Sequence, residues 1–211
     1  MSYILYYAPG TASLCVHLML IALDVPFETR LVDFDAKAQR TPEYLRLNSA
    51  GRVPTLVVDG VPYSESAALL MLLAERHPEA GFAPAVGTSE RAEWLQQMVF
   101  LANTLLPAMR DWFYADTDGD PAGADAVRTL ARRRIEGAWD RLDGVMADGR
   151  AYMVGSRLGT VDFLGLMLMR WSRNMPRPAT TWPHLAPYID RLRNSPAFLT
   201  LNAREGLTDW T

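Results

Sequence analysis

The chain predicts an α/β unit followed by an all-helical unit, and three observations carry that expectation. Short strand-like and helix-like segments alternate from Tyr3 to Glu75. A stretch rich in Pro, Gly and Ala, His77 to Thr88, then breaks the pattern. From Ser89 onward the apolar residues recur at helical spacing between polar loops. The expected division is a first domain over residues 1–79, a linker over 80–88 and a helical domain over 89–211.

In the first domain, Tyr3 to Tyr7 is aromatic and aliphatic and stops at Ala8-Pro9-Gly10, which reads as a strand and its exit turn. Ala12 to Leu23 follows as a helix, with Leu14, His17, Leu18, Ile21 and Ala22 recurring at helical spacing. Phe27 to Val32 alternates like a strand. Thr41-Pro42 reads as a helix cap followed by proline at the first helical position. Thr55 to Val58, the tight turn Asp59-Gly60 and Val61 to Tyr63 form a hairpin, and Ala67 to Glu75 is a helix. The order β-α-β-α-β-β-α is a thioredoxin-like arrangement. Neither a G-x-G-x-x-G fingerprint nor a P-loop is present, so a nucleotide site is not expected.

In the second domain a long helix starts near Ser89, a possible cap, with Trp94, Met98, Leu101 and Leu105 along one stripe. The polar loop Asp116 to Asp125 separates it from a helix over Ala126 to Met146. The Arg132-Arg133-Arg134 run there is balanced by Glu136, Asp140 and Asp143 and reads as a solvated face. Phe163 to Trp171 is more apolar and should be the buried centre, with Asp162 placed to fold back on its start. A short helix at Pro187 to Leu192 precedes Ser195-Pro196-Ala197-Phe198.

Composition narrows the chemistry. With 211 residues, 49% hydrophobic and 21% charged, the chain can bury a sizeable core. A net charge of −3 gives no reason to expect nucleic acid or an anionic membrane as a partner. The single Cys15 leaves no internal disulfide framework and fits a reducing compartment. The three histidines, His17, His77 and His184, lack ligand spacing, so no metal site is expected. Met1-Ser2-Tyr3-Ile4 does not open a signal peptide, and no apolar run is long enough to span a bilayer, so the expected location is the cytoplasm.

The stretch from Asn48 to Ser66 concentrates the binding chemistry. Pro54 at the mouth of a strand cannot donate to a ladder, and it is a candidate for a cis bond that turns the Val53 backbone outward. Ser64-Glu65-Ser66 opens a helix, where unpaired backbone N–H groups meet a carboxylate side chain. The two features together form a cradle for a peptide-like molecule bearing an ammonium and a carboxylate.

Five segments, in order, resemble the cytosolic glutathione S-transferase family, nearest its bacterial beta and theta-like classes. YYAPGTASLCVHLML resembles the beta-class opening, and PEYLRLNSAGRVPTL resembles the segment around the family's cis-proline. YSES resembles the Glu/Gln-Ser signature, GSRLGTVDFLGLMLMRW the capping-box helix, and WPHLAPYIDRLRNSPAF the C-terminal helical segment. The resemblance implies an N-terminal thioredoxin-like domain joined to an all-α domain, with glutathione as co-substrate. Val53 would pair with the cysteinyl backbone of glutathione, and Glu65 and Ser66 would hold its γ-glutamyl end. Arg52 and Lys37, with Gln39 and Arg40 nearby, match positions for the glycyl carboxylate. In a family-style homodimer, Gln96 or Gln97 would reach the partner's γ-glutamyl group.

The reactive end departs from the beta class, which carries cysteine where this chain has Ala12. Ser13 at the helix start is the first candidate to activate the thiol, Tyr7 the second, and Thr11 is a further hydroxyl on the same loop. Cys15 and His17 are expected in the core. Trp94, Met98, Phe100, Leu101, Asn103, Trp112 and Phe113 are divided between core and a pocket for a small apolar electrophile. The expected activity is transfer of glutathione to such an electrophile. A glutathione-dependent peroxidase, β-etherase or isomerase, or a non-catalytic glutathione-binding protein, are the alternatives.

Overall fold

The computed structural model describes residues 1–210. It divides the chain into two compact units: Met1–Ala83 together with the stretch from Arg193 on, and Pro84–Leu192.

The first unit opens with β1 (Tyr3–Tyr7), α1 (Leu14–Ala22), β2 (Glu28–Leu31), α2 (Pro42–Leu47), β3 (Thr55–Val58), β4 (Val61–Ser64) and α3 (Ser66–Arg76). The order is the thioredoxin-like one expected. The sheet runs β2-β1-β3-β4, with β1 parallel to β2 and antiparallel to β3. All four residues of β3 are buried, as its unbroken Thr-Leu-Val-Val run requires, whereas all four of β2 are exposed at the sheet edge. Helix α1 begins two residues later than its periodicity suggests, because Ala12 and Ser13 still belong to the preceding turn. It is buried continuously from Leu14 to Leu20, including Cys15 and His17. Thr41 caps α2 by accepting from the Tyr44 N–H at 3.3 Å, with Pro42 at its first position.

The second unit contains α4 (Ser89–Phe100), α5 (Leu106–Tyr114), α6 (Ala124–Met146), α7 (Thr160–Trp171) and all but the last residue of α8 (Leu185–Arg193). The long helix expected from Ser89 is interrupted by a wider π turn at Leu101–Leu105. Pro107, just beyond, has no N–H to continue the regular ladder, which accounts for the break. Thr88 rather than Ser89 caps α4, accepting from the Arg91 N–H at 3.3 Å. Helix α7 is buried along Thr160 to Arg170 and forms the centre of this unit. Asp162 ties its start down. Its carboxylate accepts from the Gly159 N–H at 2.8 Å, the Met153 N–H at 3.0 Å and the Tyr188 hydroxyl at 2.7 Å.

One element lies elsewhere than the sequence pattern suggested. The last helix, α9 (Pro196–Glu205), was expected in the helical domain, but it packs on α1 within the first unit. Its apolar face carries Phe198 and Leu201, both fully buried.

Candidate functional site

Three chain segments meet at one end of the sheet because the strand register brings them there. Tyr6 of β1 and Ser64 of β4 both pair with Thr55, the first residue of β3. The loop leaving β1, the turn entering β3 and the start of α3 therefore share one edge. A hydrogen bond closes the group: the Ser66 hydroxyl donates to the Ala12 carbonyl at 3.0 Å, across 54 residues of sequence.

The turn entering β3 contains the cis Val53–Pro54 peptide bond that its sequence suggested. Neither the N–H nor the C=O of Val53 has a hydrogen-bond partner among the described residues. Around it the backbone is braced. Tyr44 Oη donates to the Arg52 carbonyl at 2.7 Å and lies 2.9 Å from Thr55 Oγ1. Asn48 Nδ2 donates to the same two atoms at 2.9 and 3.1 Å. Gly51 completes the turn with φ of +58°; a Cβ there would stand 2.9 Å from the Gln39 carbonyl, so only glycine fits. Ala8, Val32, Tyr44 and Val53 bury one another beneath this turn. The result is an extended backbone edge held rigid on its inner side and unpaired on its outer side.

At the start of α3, Glu65 is exposed and has φ of 72° and ψ of 106°, a backbone region that side-chain-bearing residues rarely occupy. The N–H groups of Ser66, Ala67 and Ala68 have no acceptor among the described residues, so the positive end of the helix is open. The site thus pairs a free carboxylate with a cluster of free donors, the complement of an amino-acid head group.

The loop from Ala8 to Ser13 forms the third wall. Ser13 is fully buried, and its hydroxyl donates to the Ala8 carbonyl at 3.1 Å while accepting from the Ala8 N–H at 3.2 Å. Thr11 Oγ1 donates to the same carbonyl at 2.8 Å and lies 3.0 Å from Ser13 Oγ. Ser13, the first candidate for thiol activation, is therefore occupied in holding the loop's own backbone. Tyr7 is half-buried, with its ring edge against the His17 ring at 5.4 Å, and its hydroxyl has no partner among the described residues. The Ala12 N–H is likewise unpaired among them. Cys15 is fully buried, and burial pushes its thiol up to about 12, so it is inert as a nucleophile.

The remaining expected residues are more dispersed. Lys37 and Arg52 are exposed, Lys37 in a left-handed backbone conformation with φ of 54°. Gln39 carries a buried side-chain oxygen with no partner among the described residues. Gln96 is exposed on α4 of the second unit, and its neighbour Gln97 is buried there. Sequence reading did not find Tyr44 and Asn48 as braces of the turn, nor Glu205, whose carboxylate reaches Gly10 from α9 at 2.8 Å. Tyr44 and Asn48 were within reach of that reading, since they precede Arg52 on and just after a short helix. Glu205 carries no local signal.

Residues 1–75 match the family model of the glutathione S-transferase N-terminal domain. A glutathione S-transferase of Xanthomonas campestris pv. campestris, GST-4.5, is 31% identical over 172 residues, covering 80% of this chain and 81% of that protein. A sphingomonad glutathione S-transferase, solved in complex with glutathione, superposes with a TM-score of 0.84 at 27% identity, over 97% of this chain and 99% of the other. The beta-class enzyme of Sphingomonas chungbukensis gives 0.83 at 26% identity, over the same shares. Domain match, full-length likeness and the cis-proline turn facing an open helix start agree, and this chain belongs to the glutathione S-transferase family.

Proposed function

We propose that this protein binds glutathione at the sheet end described above and activates its thiol for attack on small apolar electrophiles. The observation that carries the reading is the closure of the Ala12 loop onto Ser66 beside an unpaired Val53 backbone. An extended tripeptide laid against Val53 gains two backbone hydrogen bonds that cost the protein no internal ones. Its γ-glutamyl carboxylate meets the Ser66 end of α3, and Glu65 faces its ammonium. Arg52, Lys37 and Gln39 are assigned to the glycyl carboxylate. The solved sphingomonad relative holds glutathione, which supports the same ligand here.

Activation requires that the site favour thiolate over thiol. Lowering a thiol pKa from ~8.5 by roughly two units takes about 2.7 kcal/mol of differential stabilisation. A hydroxyl donor together with the positive start of α1 has the right magnitude. With Ser13 occupied at Ala8, the assigned donors are Tyr7 Oη and the Ala12 N–H. The thiolate sulfur then attacks the electrophilic carbon, a thioether forms, the leaving group departs with its electron pair, and the thiol proton passes to solvent. Helix α4 exposes Leu95 and Val99 beside Gln96, an apolar strip suited to burial against a second copy in a homodimer.

The test is an ultraviolet difference spectrum of bound glutathione against pH. We expect retention on immobilised glutathione and a thiolate band whose midpoint lies roughly two units below the ~8.5 of a free thiol. Binding without ionisation would leave a glutathione-binding protein, a reading that Ala12 in place of the beta-class cysteine favours. Ionisation without turnover of an aromatic halide would point to a peroxidase, β-etherase or isomerase. No retention at all would remove the site.

A further inference from the structure

We infer that Glu205, on the last helix, is a positioning residue for the thiol-activating loop, a role that rests on the function proposed above. Its side chain is fully buried and has two partners among the described residues, both near the site. Oε2 accepts from the Gly10 N–H at 2.8 Å, and Oε1 meets His17 Nδ1 at 2.8 Å. Gly10 stands at the entrance of the loop, with φ of +68°, and His17 lies one turn into α1. One carboxylate thus grips both sides of the segment that carries Thr11, Ala12 and Ser13.

Packing alone does not account for this arrangement. A buried carboxylate is costly unless its oxygens are paired, and an apolar residue of similar size would fill the space more cheaply. His17 is itself held on two sides, by the Tyr7 ring at 5.4 Å and the Phe27 ring at 5.6 Å. Its Nε2 is buried with no partner among the described residues, which suits the tautomer whose Nδ1–H donates to Glu205. The Glu205–His17 pair therefore sets the imidazole against which the Tyr7 ring rests, while the Glu205–Gly10 bond sets the loop that presents the Ala12 N–H. Both assigned donors to the thiol depend on the same carboxylate. Val53, Glu65 and Ser66, which are assigned to the rest of glutathione, make no hydrogen bond or ion pair with it among the described residues. Loss of Glu205 should then harm activation more than binding.

The experiment compares the full-length wild type with Glu205→Gln, which keeps the shape but turns one of the two accepting oxygens, Oε1 or Oε2, into an NH2 donor. In the wild type, amide exchange should show Gly10 protected. In the variant we expect that protection to fall about tenfold or more, kcat to drop about tenfold to a hundredfold, and glutathione Kd to change by less than about threefold. The bound-thiolate midpoint should move back towards that of free thiol. An unprotected Gly10 amide in the wild type overturns the inference without any variant, which covers the case of a Glu205→Gln protein that fails to fold. A folded variant with wild-type kcat and thiolate midpoint also overturns it, as does a parallel loss of Kd and kcat. A wild type with a protected Gly10 but no thiolate band removes the proposed function and with it the role in activation, leaving Glu205 as a clamp only.

Discussion

Tyr7 and Ser13 carry hydroxyl groups in opposite circumstances, and their substitution should read out differently. Ser13 bonds both the N–H and the C=O of Ala8, so Ser13→Ala removes a buried brace. We expect it to cost about 1–3 kcal/mol of stability, measured by denaturant unfolding. Tyr7→Phe removes a hydroxyl with no partner among the described residues and should leave stability nearly unchanged. Its kcat should fall about tenfold to a hundredfold with glutathione Kd within about threefold. The opposite pattern, lost turnover at full stability in Ser13→Ala, would return the catalytic role to Ser13. The sequence places these hydroxyls at the end of β1 and in the loop that follows it, but a side chain's direction within a turn depends on the turn's own hydrogen bonds. The Val53–Pro54 turn and the Glu65-Ser66 helix start were legible because proline, glycine and helix-start chemistry constrain the backbone locally.

At the scale of single elements, one buried carboxylate ties down the start of α7. Asp162 is fully buried, and that burial outweighs its three donors and pushes the carboxyl up to about 6. An unfolded aspartate titrates near ~3.9, so the folded protein binds this proton more tightly than the unfolded chain does. The stability this group adds is present below about pH 4 and is lost as pH rises through about 6. Asp162→Asn cannot titrate, so the stability of the wild type relative to this variant should narrow from pH 4 to pH 7, by about 2–3 kcal/mol. Thermal unfolding of both proteins across that range checks it, and a constant gap would refute it. The strand at Tyr3 to Tyr7 and the Thr41-Pro42 start were visible in the sequence, since alternation and capping act over a few residues. The π turn at Leu101–Leu105 was not, because helical spacing reads almost the same on either side of one extra residue.

For the whole molecule, the first unit is completed by a segment that returns after more than a hundred residues. Phe198 and Leu201 of α9 are fully buried, and each contributes about 1.5–3 kcal/mol by burial. A protein ending at Leu192 should therefore expose the face of α1 that α9 covers and lose the Glu205 bonds. We expect it to be insoluble or to lack a cooperative unfolding transition, measured by near-ultraviolet circular dichroism during heating. A soluble, glutathione-retaining truncation would contradict this. The pattern of apolar residues identified α9 as a helical segment but not the unit it joins. The deciding contacts, such as Glu205 with Gly10 across 195 residues, leave no trace in local spacing.

Glu65 sits where the polypeptide and its ligand ask for different amino acids. The backbone there, with φ of 72°, is one that glycine would occupy freely, yet the assigned role needs a carboxylate. Holding a side-chain residue in such a conformation costs roughly 1–3 kcal/mol, and the surrounding hairpin and helix must supply it. Stabilising this protein by relaxing position 65 would thus erode the grip on the γ-glutamyl group proposed for Glu65, so on that reading durability and affinity pull against each other at a single residue.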